Sequence, residues 1–166
     1  QGQRELQARL LEAALPADAV RPALAACAGE VLSRLGPGHA HALCHHDVHE
    51  QNLVTDSAGR LWLVDWEYAG LGDPVFDLAS SASQLELSAA GVGLLCDEYV
   101  RAGGTAQPAR LEPARWAFDY VQWLWYRGLL ATAVPGPDGV EAAHRAGRIE
   151  RGLQERASGV LRCNNP

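Results

Sequence analysis

Leu6, Leu10, Leu11 and Leu15 recur at helical spacing until Pro16 ends the run. Asp18 suits the N-cap of a second helix over 19–35, in which Val20, Leu24, Ala28, Val31 and Leu35 form one apolar stripe. Gly36-Pro37-Gly38 breaks that helix. A short apolar stretch, Ala42–Cys44, leads into a polar, histidine-rich loop over 45–51. Residues 52–55 and 61–66 are strand-like and flank Asp56-Ser57-Ala58-Gly59-Arg60, a hairpin signal in which Gly59 suits a positive φ. Residues 67–72 read as a loop. Asp73-Pro74 then announces a helix, with Asp as N-cap and Pro at the first helical position. Three more helices follow over roughly 89–102, 112–133 and 140–161, with Gly- and Pro-rich connections. The pattern predicts a mainly α domain with a short β-hairpin, a layout that carries no chemistry by itself.

Composition narrows the class. The chain has 166 residues, 48% hydrophobic and 20% charged, enough for one globular domain with a sizeable core. No run approaches the ~18 apolar residues that cross a bilayer, and no basic segment followed by an apolar stretch opens the chain, so no signal peptide is expected. A net charge of −6 argues against non-specific binding to nucleic acid or to an anionic membrane. Cys27, Cys44, Cys96 and Cys163 are scattered and make no C-x-x-C pair, which points to a reducing, cytoplasmic location rather than a zinc ribbon or disulfide scaffold. All 14 basic residues are arginines, and the chain has neither lysine nor methionine. Opening on a helix-like QRELQARLLEAAL without an initiator residue, it reads as a piece of a longer protein.

The candidate chemistry lies in HHDVHEQN, which sets Asp47 and Asn52 on the loop before a strand, and in Asp65, which ends the second strand. Phosphoryl transfer asks little of a protein: a carboxylate to orient the attacking hydroxyl, and oxygen ligands for the Mg²⁺ that bridges the phosphates. Mg²⁺ takes hard oxygens, commonly one or two carboxylates with phosphates and waters. Asn52 and Asp65 supply such oxygens, leaving Asp47 as the base. Pairing of the two strands brings the loop before Asn52 and the strand end at Asp65 to one end of the hairpin.

The run C-H-H-D-V-H-E-Q-N-L-V followed by L-V-D-W-E-Y-A-G-L-G-D-P-V-F-D-L-A resembles the catalytic loop and metal segment of the choline kinase, thiamine kinase and aminoglycoside phosphotransferase superfamily, relatives of the protein kinases. The resemblance implies the C-terminal lobe of a protein-kinase-like (α+β) fold over 1–166. Its catalytic loop would span 45–52, its metal-binding segment 61–79, and its late, substrate-side helices 89–161. It implies Asp47 as catalytic base, Asn52 and Asp65 as metal ligands, His45 and Asp77 as braces of the loop, and His49 and Glu67 near the substrate. The D-W-E-Y-A-G stretch leans toward the choline and thiamine branch. In choline kinases, tryptophans on a late helix line the substrate site, which draws in Trp123, Trp125 and Tyr126. Trp116, Tyr120, Trp123 and Arg127 share one face of that helix, and Phe118, Trp125 and Leu129 another. One face packs on the core. The other can offer rings to an organic cation.

The implied function is ATP- and Mg²⁺-dependent phosphorylation of a hydroxyl on a small cationic molecule. An antibiotic phosphotransferase of the aminoglycoside or macrolide type and a non-catalytic kinase-like fragment stand as alternatives. A zinc hydrolase built on His39, His41, Cys44, His45, His46, Asp47 and His49 is a remote one, because the spacing fits neither H-E-x-x-H nor H-x-H-x-D-H. The family's N-terminal lobe, with its phosphate-covering loop and lysine, has no counterpart in the sequence. The expected partners are therefore a nucleotide, a small-molecule substrate and that missing lobe, with little turnover by this chain alone.

Overall fold

The computed structural model describes residues 21–36, 42–105, 108–132 and 137–162; the helix expected around Leu6–Leu15 lies outside them. In chain order the described elements are α1 (Arg21–Leu35), β1 (Ala42–Cys44), a 3-10 turn (Glu50–Asn52), β2 (Leu53–Thr55), β3 (Leu61–Leu63), β4 (Gly70–Gly72), α2 (Val75–Gln84), α3 (Ala89–Arg101), α4 (Pro108–Ala131) and α5 (Pro137–Arg162). The chain divides into two compact units, residues 37–115 and residues 1–36 with 116–166.

In the discontinuous unit, the described part of the stripe read from the sequence is buried: Leu24, Ala28, Val31 and Leu35 are all in the core, and α1 packs on α5, while Val20 and the expected cap Asp18 lie outside the described residues. Burying each of the leucine and valine side chains contributes about 1.5–3 kcal/mol. On α4, Trp116, Tyr120 and Trp123 are fully buried and stack in series, with ring centroids 5.7 and 5.9 Å apart. The two indole N–H groups are satisfied from α5. Trp116 Nε1 donates to the Leu153 carbonyl at 2.9 Å, and Trp123 Nε1 to Glu150 Oε2 at 3.1 Å. The second expected face divides differently, since Phe118 is buried while Trp125 stays half exposed.

The continuous unit holds the hairpin, with Leu53 opposite Leu63, Val54 opposite Trp62 and Thr55 opposite Leu61. Its turn is organised by Asp56. Oδ1 accepts the N–H groups of Ala58 and Arg60, both at 2.9 Å, and Oδ2 takes Arg60 Nε at 2.8 Å and Trp62 Nε1 at 3.0 Å. The indole bond foremost, followed by the backbone bond from Arg60, lowers the Asp56 acid to about 2. Gly59 has φ 77°, the left-handed turn position that glycine fills without strain.

The sequence pattern lacks one element that the structure has. Residues 70–72 form β4, antiparallel to β1, with Ala42 opposite Gly72, Leu43 opposite Leu71 and Cys44 opposite Gly70. Asp73 then starts α2. Its Oδ1 accepts the Val75 N–H at 3.1 Å, its carbonyl accepts that of Phe76 at 3.1 Å, and Pro74 already has helical angles. The aspartate is also buried, and Arg110 in the first turn of α4 pairs with its Oδ2 at 2.6 Å.

Candidate functional site

The polar loop leaves β1 through His45, whose ring is 1% exposed. His45 Nδ1 accepts the Asp47 N–H at 3.3 Å, so the ring proton sits on Nε2, which donates to the Val64 carbonyl at 2.9 Å. Trp66 closes over the ring edge-on, with centroids 4.8 Å apart. One neutral imidazole thus ties the loop to the end of the hairpin. A second tie runs through backbone alone, from Val64 N–H to the Asn52 carbonyl at 2.9 Å.

The opposite side of the loop is held by α2. Asp77 Oδ2 accepts the His45 N–H at 2.7 Å, and Oδ1 accepts that of His46 at 2.9 Å. Adjacent amides aimed at one carboxylate require a sharp backbone turn, and His46 makes it at φ 66°. That region is costly for a residue with a Cβ unless its surroundings impose it.

Asn52, only 6% exposed, donates through Nδ2 to the Asp47 carbonyl at 2.9 Å and to Asp47 Oδ2 at 3.4 Å. Two acceptors on the nitrogen side fix the amide's orientation and turn Oδ1 away from Asp47. His49 caps the 3-10 turn, its Nδ1 accepting the Gln51 N–H at 3.3 Å, and its Nε2 lies 3.4 Å from Asp47 Oδ2. Asp65 follows the strand end in a left-handed conformation, φ 62°, a region that Asp tolerates better than most residues. Its exposed carboxylate makes no hydrogen bond or ion pair among the described residues.

Tyr68 was not singled out from the sequence, although it lies inside the D-W-E-Y run. Its exposed phenol is pushed above the usual tyrosine range, first by the charge of Glu67, then by a hydrogen bond to that carboxylate, with Asp47 and Asp65 adding to the effect. Three carboxylates therefore act on one hydroxyl, which makes this a locally negative surface.

The structure brings His45, Asp47, His49, Asn52 and Asp77 into direct contact and sets Asp65 and Glu67 in the same electrostatic neighbourhood. Trp123, Trp125 and Tyr126 belong to the other unit. Of these, Trp123 is fully buried, its N–H is on Glu150, and Arg127 lies over its ring at 5.9 Å. Trp125 is half exposed and meets Tyr126 edge-on at 4.9 Å, while Tyr126 Oη accepts from Arg145 at 3.2 Å.

The donor set suits a hard cation. Asn52 Oδ1 and the Asp65 carboxylate are the kind of oxygens Mg²⁺ takes alongside phosphates and water. No three or more His, Cys, Asp or Glu side chains among the described residues gather as metal ligands, whereas a catalytic zinc site takes three protein ligands; His39 and His41 lie outside those residues. No helix among them is long and apolar enough to cross a membrane.

A helical chain bearing a short hairpin and a second two-stranded sheet is the fold of choline-kinase-like proteins. A choline/ethanolamine kinase family protein from Mesorhizobium loti superposes with a TM-score of 0.67 at 26% identity, over 89% of this chain and 53% of that one. The sequence profile of the phosphotransferase enzyme family matches residues 1–117. The chain belongs to that family. LicA of Haemophilus influenzae is 38% identical over 56 residues, 34% of this chain and 21% of LicA. The thiamine kinase of Salmonella paratyphi B is 58% identical over 36 residues, 22% of this chain and 13% of that enzyme. The chain spans about half the length of the solved structure it matches.

Proposed function

We propose that this chain carries the acceptor side of a small-molecule kinase that transfers a phosphoryl group from ATP to a hydroxyl on a small cationic molecule. The observation that carries this reading is the loop itself: Asn52 donates to Asp47 and is tied by its backbone to the residue before Asp65, so base and metal-type oxygens are held together. Asp47 orients the acceptor hydroxyl and takes its proton at a carboxylate oxygen. His49, 3.4 Å from Oδ2, steadies that carboxylate. Asn52 Oδ1 and Asp65 would hold Mg²⁺, which supplies charge neutralisation for the transferring phosphoryl group. Asp77 and His45 keep the loop backbone in place. Thiamine or choline chemistry fits the acceptor side, because the negative surface around Tyr68 and Glu67 favours a cation. ATP would also be gripped from a lobe beyond these residues, since the chain has no lysine to pair with its phosphates.

The test is Asp47→Asn in the full-length protein. Turnover on a panel of choline, ethanolamine, thiamine and aminoglycosides should fall about a thousandfold, while MgATP binding by calorimetry persists. Equal rates for both proteins would refute the assignment. Phosphorylation of aminoglycosides alone would move the substrate class without moving the machinery.

A further inference from the structure

We infer that Gly72 is a positioning residue for Asp47, acting through the ring of His46; its kinetic consequence rests on the function proposed above. A Cβ built at Gly72 would lie 2.6 Å from His46 Cε1, 2.9 Å from Nε2 and 3.5 Å from Cys44 Sγ. Non-bonded carbons settle at about 3.5–4.0 Å, so a methyl group and the ring cannot share that space. The backbone of Gly72 is not left-handed. Its lack of a side chain serves the neighbouring ring, not its own φ.

The contact bears on Asp47 because neither neighbour of the ring gives way easily. Gly72 pairs with Ala42 at the end of β4 and directly precedes Asp73, which is buried, ion-paired to Arg110 and capping α2. His46 is pinned through its N–H on Asp77 Oδ1 and holds φ 66°, and the next amide, that of Asp47, is on His45 Nδ1. A side chain at position 72 forces the ring from its seat, and because the His46 amide is held on Asp77, the displacement loads the already left-handed turn at His46. Asp47 is the next residue along. Gly70, on the same strand, has open space where a Cβ would point, so Gly70→Ala is the matched control.

The experiment is a cycle in the full-length protein, Gly72→Ala in the native background and again beside His46→Gly, with two readouts. A displacement of Asp47 by about 1 Å should lower kcat about a hundredfold while KM for ATP stays within about twofold. Amide exchange at His45 and His46, which does not depend on any substrate, should accelerate. In the His46→Gly background the same Ala substitution should change neither readout by more than about twofold, because the ring it would strike is gone. Gly70→Ala should match the native protein. Native kcat and native amide protection in Gly72→Ala would overturn the inference, as would an equal loss, or failure to fold, in the His46→Gly background. If the native protein phosphorylates nothing on the panel while amide exchange still shows the cycle, the positioning inference holds and the proposed function falls.

Discussion

Asp77 joins α2 to the loop by two hydrogen bonds from consecutive amides, at 2.7 and 2.9 Å. Each bond to an ionised acceptor contributes about 1.5–3 kcal/mol, and the partly exposed setting places both near the lower end. Asp77→Ala removes both and should cost about 3 kcal/mol. Asp77→Asn keeps one neutral acceptor, worth about 1 kcal/mol, and turns an amide NH₂ toward the other N–H, so it should cost about 2 kcal/mol. With a urea m-value of about 2 kcal/mol/M for a chain of this size, the midpoints should fall by about 1.5 and 1 M, in that order, at unchanged m. kcat should fall in both variants, because the backbone leading into Asp47 loses its tether on the α2 side. An Asp77→Ala protein that unfolds at the native midpoint would refute the energetic reasoning. A destabilised variant with native kcat would show that His45 and Asn52 alone hold Asp47.

Two further expectations come from other parts of the fold. Arg110→Met leaves the Asp73 carboxylate, 6% exposed, without its counter-charge and should destabilise by about 3–5 kcal/mol; thermal unfolding checks this, and adding Asp73→Asn should recover part of the loss. Asp56 has an acid form lowered in the folded state to about 2 from an ordinary 3.8, so its contribution to the hairpin is complete above about pH 4 and is lost as pH falls toward about 2. The fluorescence of Trp62, whose N–H rests on Asp56, should follow that titration, and Asp56→Asn should flatten it.

Local signals in the sequence located most elements because each declares itself within a few residues. The stripe Leu24–Leu35, the Asp56–Gly59 turn and the Asp73-Pro74 start all rest on short-range periodicity or turn chemistry. Pairing between distant segments was illegible. β4 is three residues with two glycines, and its partner β1 lies before the whole histidine-rich loop. Likewise Asp73 reads as a helix cap, while its ion pair with Arg110 spans a stretch no local pattern crosses. Asp47, Asn52 and Asp65 could be named as candidates from residue type and spacing, and Asp77 on α2 only through the family resemblance. Backbone strain at His46 and the close approach of Gly72 could not, because each depends on where another strand lies. Trp123 shows the reverse limit. Helical periodicity put it on a face, and only packing shows that this face is core.

The Asp77 link has a consequence for biosynthesis. His45 and Asp77 are separated by 32 residues, and ribosomes add about 5–20 residues per second. For about 2–6 seconds the histidine-rich stretch has been made while the carboxylate that folds its amides has not. A nascent chain halted between Asp65 and Asp73 would contain every oxygen donor assigned to the acceptor and the metal, and would still have no arranged loop to present them.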